Sequence, residues 1–103
     1  MYLVQVLYHP DNPQSLEDQY QAHVDRAGAL VEASEHVYLG KFAGEVAGKS
    51  VTRGAVLLFE SKEEFEAFAT SPEGSAIVAD AQRIAGPGGL SICQGEVDID
   101  IDP

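Results

Sequence analysis

Hydrophobic and polar residues alternate over residues 2–9, and most of them are β-branched or aromatic, which predicts a strand. The following Pro-Asp-Asn-Pro segment, residues 10–13, ends this strand. Ser15 is the predicted N-cap of a helix, with Asp18 three residues later. The apolar residues then recur at spacings of three and four over about four turns of an amphipathic helix: Leu16, Tyr20, Val24, Ala27 and Val31.

Two further strands are predicted in the middle of the chain. The first covers residues 36–42 and the second residues 55–60, since both are rich in apolar residues of high strand propensity. The glycine-bearing residues 43–50 between them predict a hairpin with a long, mobile loop.

The last part of the chain predicts a broken helix and a final strand. Residues 61–64, Ser-Lys-Glu-Glu, form a capping box, and Ser71-Pro72 has the residues of a new helix start. Residues 86–89, Gly-Pro-Gly-Gly, end the second helical part, and a strand follows from Leu90 to about Val97. The order β-α-β-β-α-β predicts an α+β, ferredoxin-like domain over residues 1–103, with two helices on one face of a four-stranded antiparallel sheet.

The third predicted strand is apolar on both of its faces. Val56 and Leu58 lie on one face, and Ala55, Leu57 and Phe59 lie on the other. An antiparallel sheet with one face in water alternates with polar residues, whereas this strand does not. Two helices cover only one face, so we expect a homodimer in which the other face packs against a second copy.

Charge narrows the range of partners. Seventeen acidic residues and six basic ones give a formal net charge of −11, which repels nucleic acid and anionic membrane surfaces. The first six residues lack the features of a signal peptide, and no apolar run is long enough to span a membrane. We therefore expect a cytoplasmic protein that binds neither nucleic acid nor membranes.

The lone cysteine and the C-terminal tail carry weaker signals. Cys93 lies in an alternating apolar segment, where a free thiol is expected to be buried as a small hydrophobic residue. Residues 98–102 alternate Asp and Ile, which predicts either an extension of the last strand or an arm across the dimer partner.

Several short segments, taken in order, resemble the EthD family, and the resemblance spans nearly the whole chain. The segments are Val6-Leu7-Tyr8, Tyr20-Gln21-Ala22-His23, Phe59-Glu60-Ser61, Ser71-Pro72-Glu73-Gly74, Ala79-Asp80 and Gly95-Glu96-Val97.

The resemblance to EthD implies a dimeric α+β barrel. Relatives with that barrel include cofactor-free antibiotic-biosynthesis monooxygenases, aromatic polyketide cyclases and lactone-isomerising enzymes, while EthD proteins are associated with the degradation of ethers. The chain departs from the family pattern at Val24-Asp25-Arg26 and at Gln82-Arg83-Ile84-Ala85. A particular substrate is therefore not transferred from the family to this chain.

His23 is the leading candidate for chemistry, because it lies one turn from Tyr20 and borders the apolar stripe of the first helix. An imidazole beside an apolar cavity exchanges protons near neutral pH, with Tyr20 in support. Asp80 flanks the buried face of its own helix and would orient the His23 ring if the two helices are neighbours. The structural alternatives are a histidine satisfied by a nearby carbonyl or carboxylate and an aspartate paired with Arg26 or Arg83 as a surface ion.

Other polar aromatic residues along the strands are candidate substrate-binding groups: Tyr8, His36 and Tyr38. The three histidines show no metal-binding spacing, and no glycine-rich segment has the form of a nucleotide-binding loop. We therefore expect neither a metal nor another cofactor.

These observations leave three hypotheses. The first is an enzyme that performs cofactor-independent acid–base chemistry on a small hydrophobic or aromatic compound between sheet and helices, as in a cyclase, monooxygenase or isomerase. The second is a dimeric module that binds or carries such a ligand without converting it. The third is a purely structural assembly built through the apolar face of the sheet.

Overall fold

A four-stranded antiparallel sheet frames the protein in the computed structural model, which describes residues 1–98. Its strands are β1 (Tyr2–Tyr8), β2 (His36–Val46), β3 (Lys49–Phe59) and β4 (Leu90–Glu96), in the spatial order β2-β3-β1-β4. The helices are α1 (Pro13–Arg26), α2 (Gly28–Ala33), α3 (Lys62–Ala69) and α4 (Pro72–Ala85). The predicted ferredoxin-like fold is confirmed, with each of its two helical segments divided in two. The predicted Asp-Ile tail lies outside the described residues from residue 99 onwards.

The first helix begins earlier than predicted and ends earlier too. Its N-cap is Asn12 and not Ser15: the Asn12 side chain accepts a hydrogen bond of 3.2 Å from the backbone N–H of Ser15. Pro13 takes the first helical position, where its missing N–H costs nothing. The helix ends at Arg26, and α2 starts at Gly28 after a break at Ala27. Glycine is a poor helix former, so the apolar spacing through Val31 describes two helices instead of one.

The hairpin between β2 and β3 is longer and tighter than predicted. Both strands continue through the expected loop, and a turn at Ala47 and Gly48, with φ angles of 50° and 79°, joins them. Positive φ at both central residues matches the right-handed twist of the strands, and glycine adopts it without strain. The prediction of a long loop over residues 43–50 is therefore wrong. Gly44 instead pairs with Val51, beside a β-bulge that absorbs one extra residue after Lys41.

The predicted helix starts in the second half are confirmed. The Ser61 hydroxyl accepts a hydrogen bond from the N–H of Glu64, and the Ser71 hydroxyl accepts one from the N–H of Gly74. Gly74 is required where α4 begins, because a β-carbon there would overlap the backbone carbonyl of Phe68 at the end of α3. The close approach of these two chain segments fixes the direction of α4 across the sheet.

The hydrophobic core lies between the sheet and the helices. Alternate residues of β3, namely Ala55, Leu57 and Phe59, are buried there, and Phe59 is 0% exposed. Val56 and Leu58 point to the opposite face of the sheet and are only partly buried. We call this second surface the open face; β1 and β4 contribute to it Leu3, Gln5, Leu7, Ser91 and Cys93.

The expectation of a buried Cys93 is wrong for the protomer. Cys93 pairs with Gln5 in the register of β1 and β4, so its side chain lies on the open face, and it is exposed. β4 is an edge strand, and the helices cover the other side of the sheet. The alternating sequence therefore predicted the strand correctly, but it did not predict which of its two faces the helices cover.

Candidate active site

Four polar side chains from three elements meet at one end of the space between sheet and helices. Tyr8 comes from the end of β1, Tyr20 and His23 from successive turns of α1, and Asp80 from the middle of α4. His23 is 7% exposed, so it belongs to the interior and not to the surface of α1. The packing of α1 against α4 brings together residues that are far apart in sequence.

Asp80 fixes the imidazole of His23. The His23 Nδ1 and Asp80 Oδ2 atoms are 2.7 Å apart, although 57 positions separate the residues in the chain. The same carboxylate accepts hydrogen bonds from the guanidinium groups of Arg26 and Arg83. Both interpretations of Asp80 thus hold at once, since it contacts the histidine and also pairs with the two arginines.

The charge of Asp80 determines the histidine tautomer. Burial raises the pKa of Asp80, but hydrogen bonds from Arg83, His23 and Arg26 outweigh this effect and lower it to about 2. The carboxylate is therefore ionised at neutral pH and accepts a hydrogen bond from Nδ1–H of His23. In the neutral ring this leaves the lone pair on Nε2, which lies 3.3 Å from the hydroxyl oxygen of Tyr8.

The two tyrosines pack against the histidine ring. Tyr8 and Tyr20 meet edge to face, with ring centroids 5.8 Å apart, and each centroid is within 6.4 Å of the His23 ring centroid. Burial, reinforced by the negative charge of Asp80, raises the pKa of Tyr8 well above its usual range. Burial also raises the pKa of Tyr20. Both phenols are therefore neutral at physiological pH.

Arg53 is a part of this region that the sequence analysis missed. Its guanidinium lies 4.4 Å from the centroid of the Tyr20 ring and donates hydrogen bonds of 2.9 and 2.8 Å to the carboxylate of Glu17. In the two-residue alternation of β3, Arg53 lies on the same face as the buried residues Val51 and Ala55, and this position could have indicated its role. That signal is visible only once the strand is known to start before residue 55.

The arginines are concentrated around this site. The sequence contains three arginines, and all of them, Arg26, Arg53 and Arg83, contact groups of α1 or α4 close to His23. Arginine forms two-pronged hydrogen bonds with carboxylates and stacks on aromatic rings, which lysine does not. In a chain with a net charge of −11, all three are paired with carboxylates here: Arg26 and Arg83 with Asp80, and Arg53 with Glu17.

A cavity of about 110 Å³ extends from His23 between the sheet and the helices. Its wall carries few polar side chains, namely Tyr8, Tyr20, His23 and Gln94, among many apolar ones. Four residues at its rim are apolar yet 40% to 47% exposed, at both sheet edges and on the helices: Val31, Leu39, Val78 and Ile92. Apolar cavities of about 150 Å³ take up molecules of the size of benzene, so this smaller cavity accommodates part of a small ligand, with the exposed rim available to the rest.

The structure separates the remaining predicted site residues from His23. In the register of β2 and β3, His36 pairs with Leu58 and Tyr38 pairs with Val56, which places both on the open face. They do not line the cavity with Tyr8 and Tyr20. A substrate bound beside His23 is thus on the other side of the sheet from His36 and Tyr38.

Within residues 1–98, no group of three or more His, Cys, Asp or Glu side chains is arranged to hold a metal ion. None of the helices in the same range is both long and apolar enough to cross a membrane.

Comparison with solved structures supports the fold. An EthD family protein from Bacillus halodurans matches with a TM-score of 0.76 and 21% identity, over 95% of this chain and 99% of that one. A hydroxynitrile lyase from Passiflora edulis matches with a TM-score of 0.66 and 14% identity, over 99% and 97% of the two chains. A dimeric ferredoxin-like protein of unknown function from Thermobifida fusca gives a TM-score of 0.64 and 16% identity, over 94% and 92%.

Comparison of the sequence alone was negative: no family model and no curated protein matches the chain. The resemblance to the EthD family is therefore confirmed as a likeness in structure, over almost the full length of both chains. Identities of this size show a shared fold, and function has to be argued from the site itself.

Proposed function

We propose that this protein is an enzyme that performs acid–base chemistry on a small hydrophobic or aromatic compound in the cavity between the sheet and the helices. The observation that carries the proposal is the placement of His23, with Nδ1 held by Asp80 and with Nε2 directed towards the polar end of an apolar cavity. His23 acts as the base, Asp80 is its positioning residue, and Tyr20 forms part of the binding wall.

The electrostatics suit proton transfer. An ionised Asp80 holds the neutral ring in one tautomer and stabilises the imidazolium that forms when Nε2 takes a proton. Arg26 and Arg83 keep the carboxylate ionised, so Asp80 does not compete for that proton. Proton removal and return, the step common to isomerisation and cyclisation, needs only groups of this kind, so the proposal requires no cofactor.

A direct test uses nitrobenzisoxazole, a small aromatic compound that reports on bases in apolar cavities. Removal of its carbon-bound proton breaks the N–O bond and releases a coloured cyanophenolate, so absorbance gives the rate. We expect the wild-type protein to accelerate this reaction over buffer and His23→Ala to lose about a hundredfold or more of that acceleration. His36→Ala, which changes a histidine on the open face, should keep it.

The outcomes of this test separate the hypotheses. Circular dichroism establishes whether each variant folds. If His23→Ala does not fold, His23→Gln replaces it, because glutamine fills more of the space that the imidazole occupies. A rate that is equal in His23→Ala and the wild type contradicts the role of His23.

A non-catalytic ligand-binding module is the second candidate. The observation in its favour is that the Tyr8 hydroxyl already engages Nε2 of His23, which satisfies the histidine without a substrate. Binding of nitrobenzisoxazole without acceleration, with the compound recovered unchanged, would support this candidate over the enzyme.

We further propose that the protein is a homodimer that packs through the open face as an α+β barrel. The central residues of this face, Leu3, Leu7, Val56 and Leu58, are apolar and only partly buried in the protomer. The similar protein from Thermobifida fusca is described as dimeric. Burial of such a face in a symmetric interface removes its apolar area from water.

The assembly is tested by the mass in solution from light scattering. We expect a dimer for the wild type and a monomer for Leu58→Asp, because a carboxylate in the centre of the interface is desolvated without a partner. Val78→Asp, which places the same charge on an exposed apolar residue of α4, should remain dimeric. A monomeric wild type, or a dimeric Leu58→Asp, would rule out this interface.

A further inference from the structure

Tyr8 contacts the proposed base at the wall of the cavity. Its hydroxyl oxygen lies 3.3 Å from Nε2 of His23, and the residue is 3% exposed and lines the cavity wall. Because Asp80 accepts the proton on the other ring nitrogen, Nε2 of the neutral ring accepts the Tyr8 proton. The lone pair that would attack a substrate proton is therefore already occupied.

We propose that Tyr8 is a catalytic residue that relays the proton between a molecule in the cavity and His23. This inference rests on the proposed function and names the group that touches the substrate. The phenol oxygen keeps a free lone pair when its proton is donated to Nε2, and that lone pair can accept a proton from the cavity.

The step balances within the site. The substrate proton forms a bond to the Tyr8 oxygen while the original Tyr8 proton moves to Nε2, and the electron pair of the broken bond stays on the substrate. The resulting imidazolium is held by the Asp80 carboxylate. The reverse movement returns the proton to the product and restores the resting hydrogen bonds, so no oxidant or reductant takes part.

The surroundings favour a relay over a stable tyrosinate. Burial and the nearby negative charge of Asp80 disfavour the phenolate form of Tyr8, as its raised pKa shows. Tyr20 packs edge-on against the ring and restricts its orientation. Tyr8 can therefore give up its proton only as it receives another, which is what a relay requires.

The chain offers a matched control for this residue. Tyr2 lies on the same strand and the same face as Tyr8, is 5% exposed, and stacks on Phe65 at the other end of the core. With nitrobenzisoxazole as the probe, we expect Tyr8→Phe to lose about a hundredfold of the acceleration and Tyr2→Phe to keep it within about twofold. Both changes remove one hydroxyl and keep the ring.

A rate in Tyr8→Phe that equals or exceeds the wild-type rate would overturn the relay, because Nε2 would then act directly. If His23→Ala is inactive in the same series, the proposed function stands while the relay fails. Absence of any acceleration by the wild-type protein overturns both.

A second measurement needs no variant. In direct attack by Nε2 the only proton transferred is bound to carbon and does not exchange with solvent. The rate at the plateau of the pH–rate profile is then the same in light and heavy water. In the relay the exchangeable proton of Tyr8 moves in the same step, so the rate falls in heavy water. Equal plateau rates in the two solvents would overturn the relay even if Tyr8→Phe fails to fold.

Discussion

The two faces of the sheet differ in what covers their apolar residues. On the helix-covered face, the β3 residues Leu57 and Phe59 are buried within the protomer itself. On the open face, Val56 and Leu58 have similar side chains but remain partly exposed. Alternate residues of β3 therefore serve two surfaces, one completed within the chain and one that we propose is completed by a second copy.

The faces differ in chemistry as well. The covered side brings His23, Asp80 and Tyr8 into a hydrogen-bonded chain beside a cavity. On the open face, His36 and Tyr38 lie on β2 and Cys93 lies on β4, at opposite edges of the sheet. We propose a division of roles, in which one side of the sheet carries the reaction and the other side forms the dimer interface.

The largest expected loss of stability follows from the removal of an aromatic side chain on the helix-covered face. Phe59 is 0% exposed and packs against Phe65 with ring centroids 5.1 Å apart. Phe59→Ala should lower the free energy of unfolding by about 3 to 5 kcal/mol, since it leaves a cavity in the core. Leu58→Ala, one residue away on the open face, should cost less than half as much.

Chemical denaturation of both variants at a protein concentration at which light scattering shows a monomer measures this difference, because dimerisation would bury Leu58 and make stability depend on concentration. Similar losses for Phe59→Ala and Leu58→Ala would break the distinction between the two faces.

The second effect concerns the charge held on the covered side. In the folded protein the pKa of Asp80 is about 2, below its ordinary value near 4 in the unfolded chain. A depressed folded pKa contributes stability that is present above about pH 4 and is lost as the pH falls towards 2. The contribution is on the order of 2 kcal/mol.

The free energy of unfolding, measured with denaturant between about pH 2 and 6, tests the role of Asp80, because this range spans its folded and unfolded pKa values. Asp80→Asn should be less stable than the wild type at neutral pH and should lose less stability on acidification. Asp25→Asn, which changes an exposed carboxylate on α1, should follow the wild-type curve. Parallel curves for Asp80→Asn and the wild type would show that the carboxylate is not held as described.

The order of strands and helices was predictable from local signals, because periodicity and capping act over a few residues. Ser61 and Ser71 start their helices as predicted. Two of the errors arose at or beside a glycine. Gly44 suggested a loop but lies beside a bulge within a strand, and a break at Ala27, just before Gly28, divides a helix that the apolar spacing predicted to be continuous.

The geometry of the site was less predictable than the fold. His23 and Asp80 were identified by their positions on two amphipathic helices, but their contact depends on how α1 crosses α4. That crossing depends on the packing of α1 against α4 in the core, through residues such as Leu16, Tyr20 and Ile84, which no local pattern records. Arg53 was missed for a related reason: its contact with Glu17 depends on how α1 lies across β3.

The smallest effect on stability is expected at Cys93, and it sharpens the contrast between the faces. Cys93 is exposed on the open face, so Cys93→Ser should change the free energy of unfolding of the protomer by less than about 0.5 kcal/mol. It is the only cysteine in the sequence, so labelling by a thiol reagent reports on this position alone. If the open face is covered by a second copy, the wild-type protein should be labelled slowly and the monomeric Leu58→Asp variant quickly, as followed by mass spectrometry. Equally fast labelling of both would mean that the open face stays in water, and the apolar side chains of Val56 and Leu58 would then need another explanation.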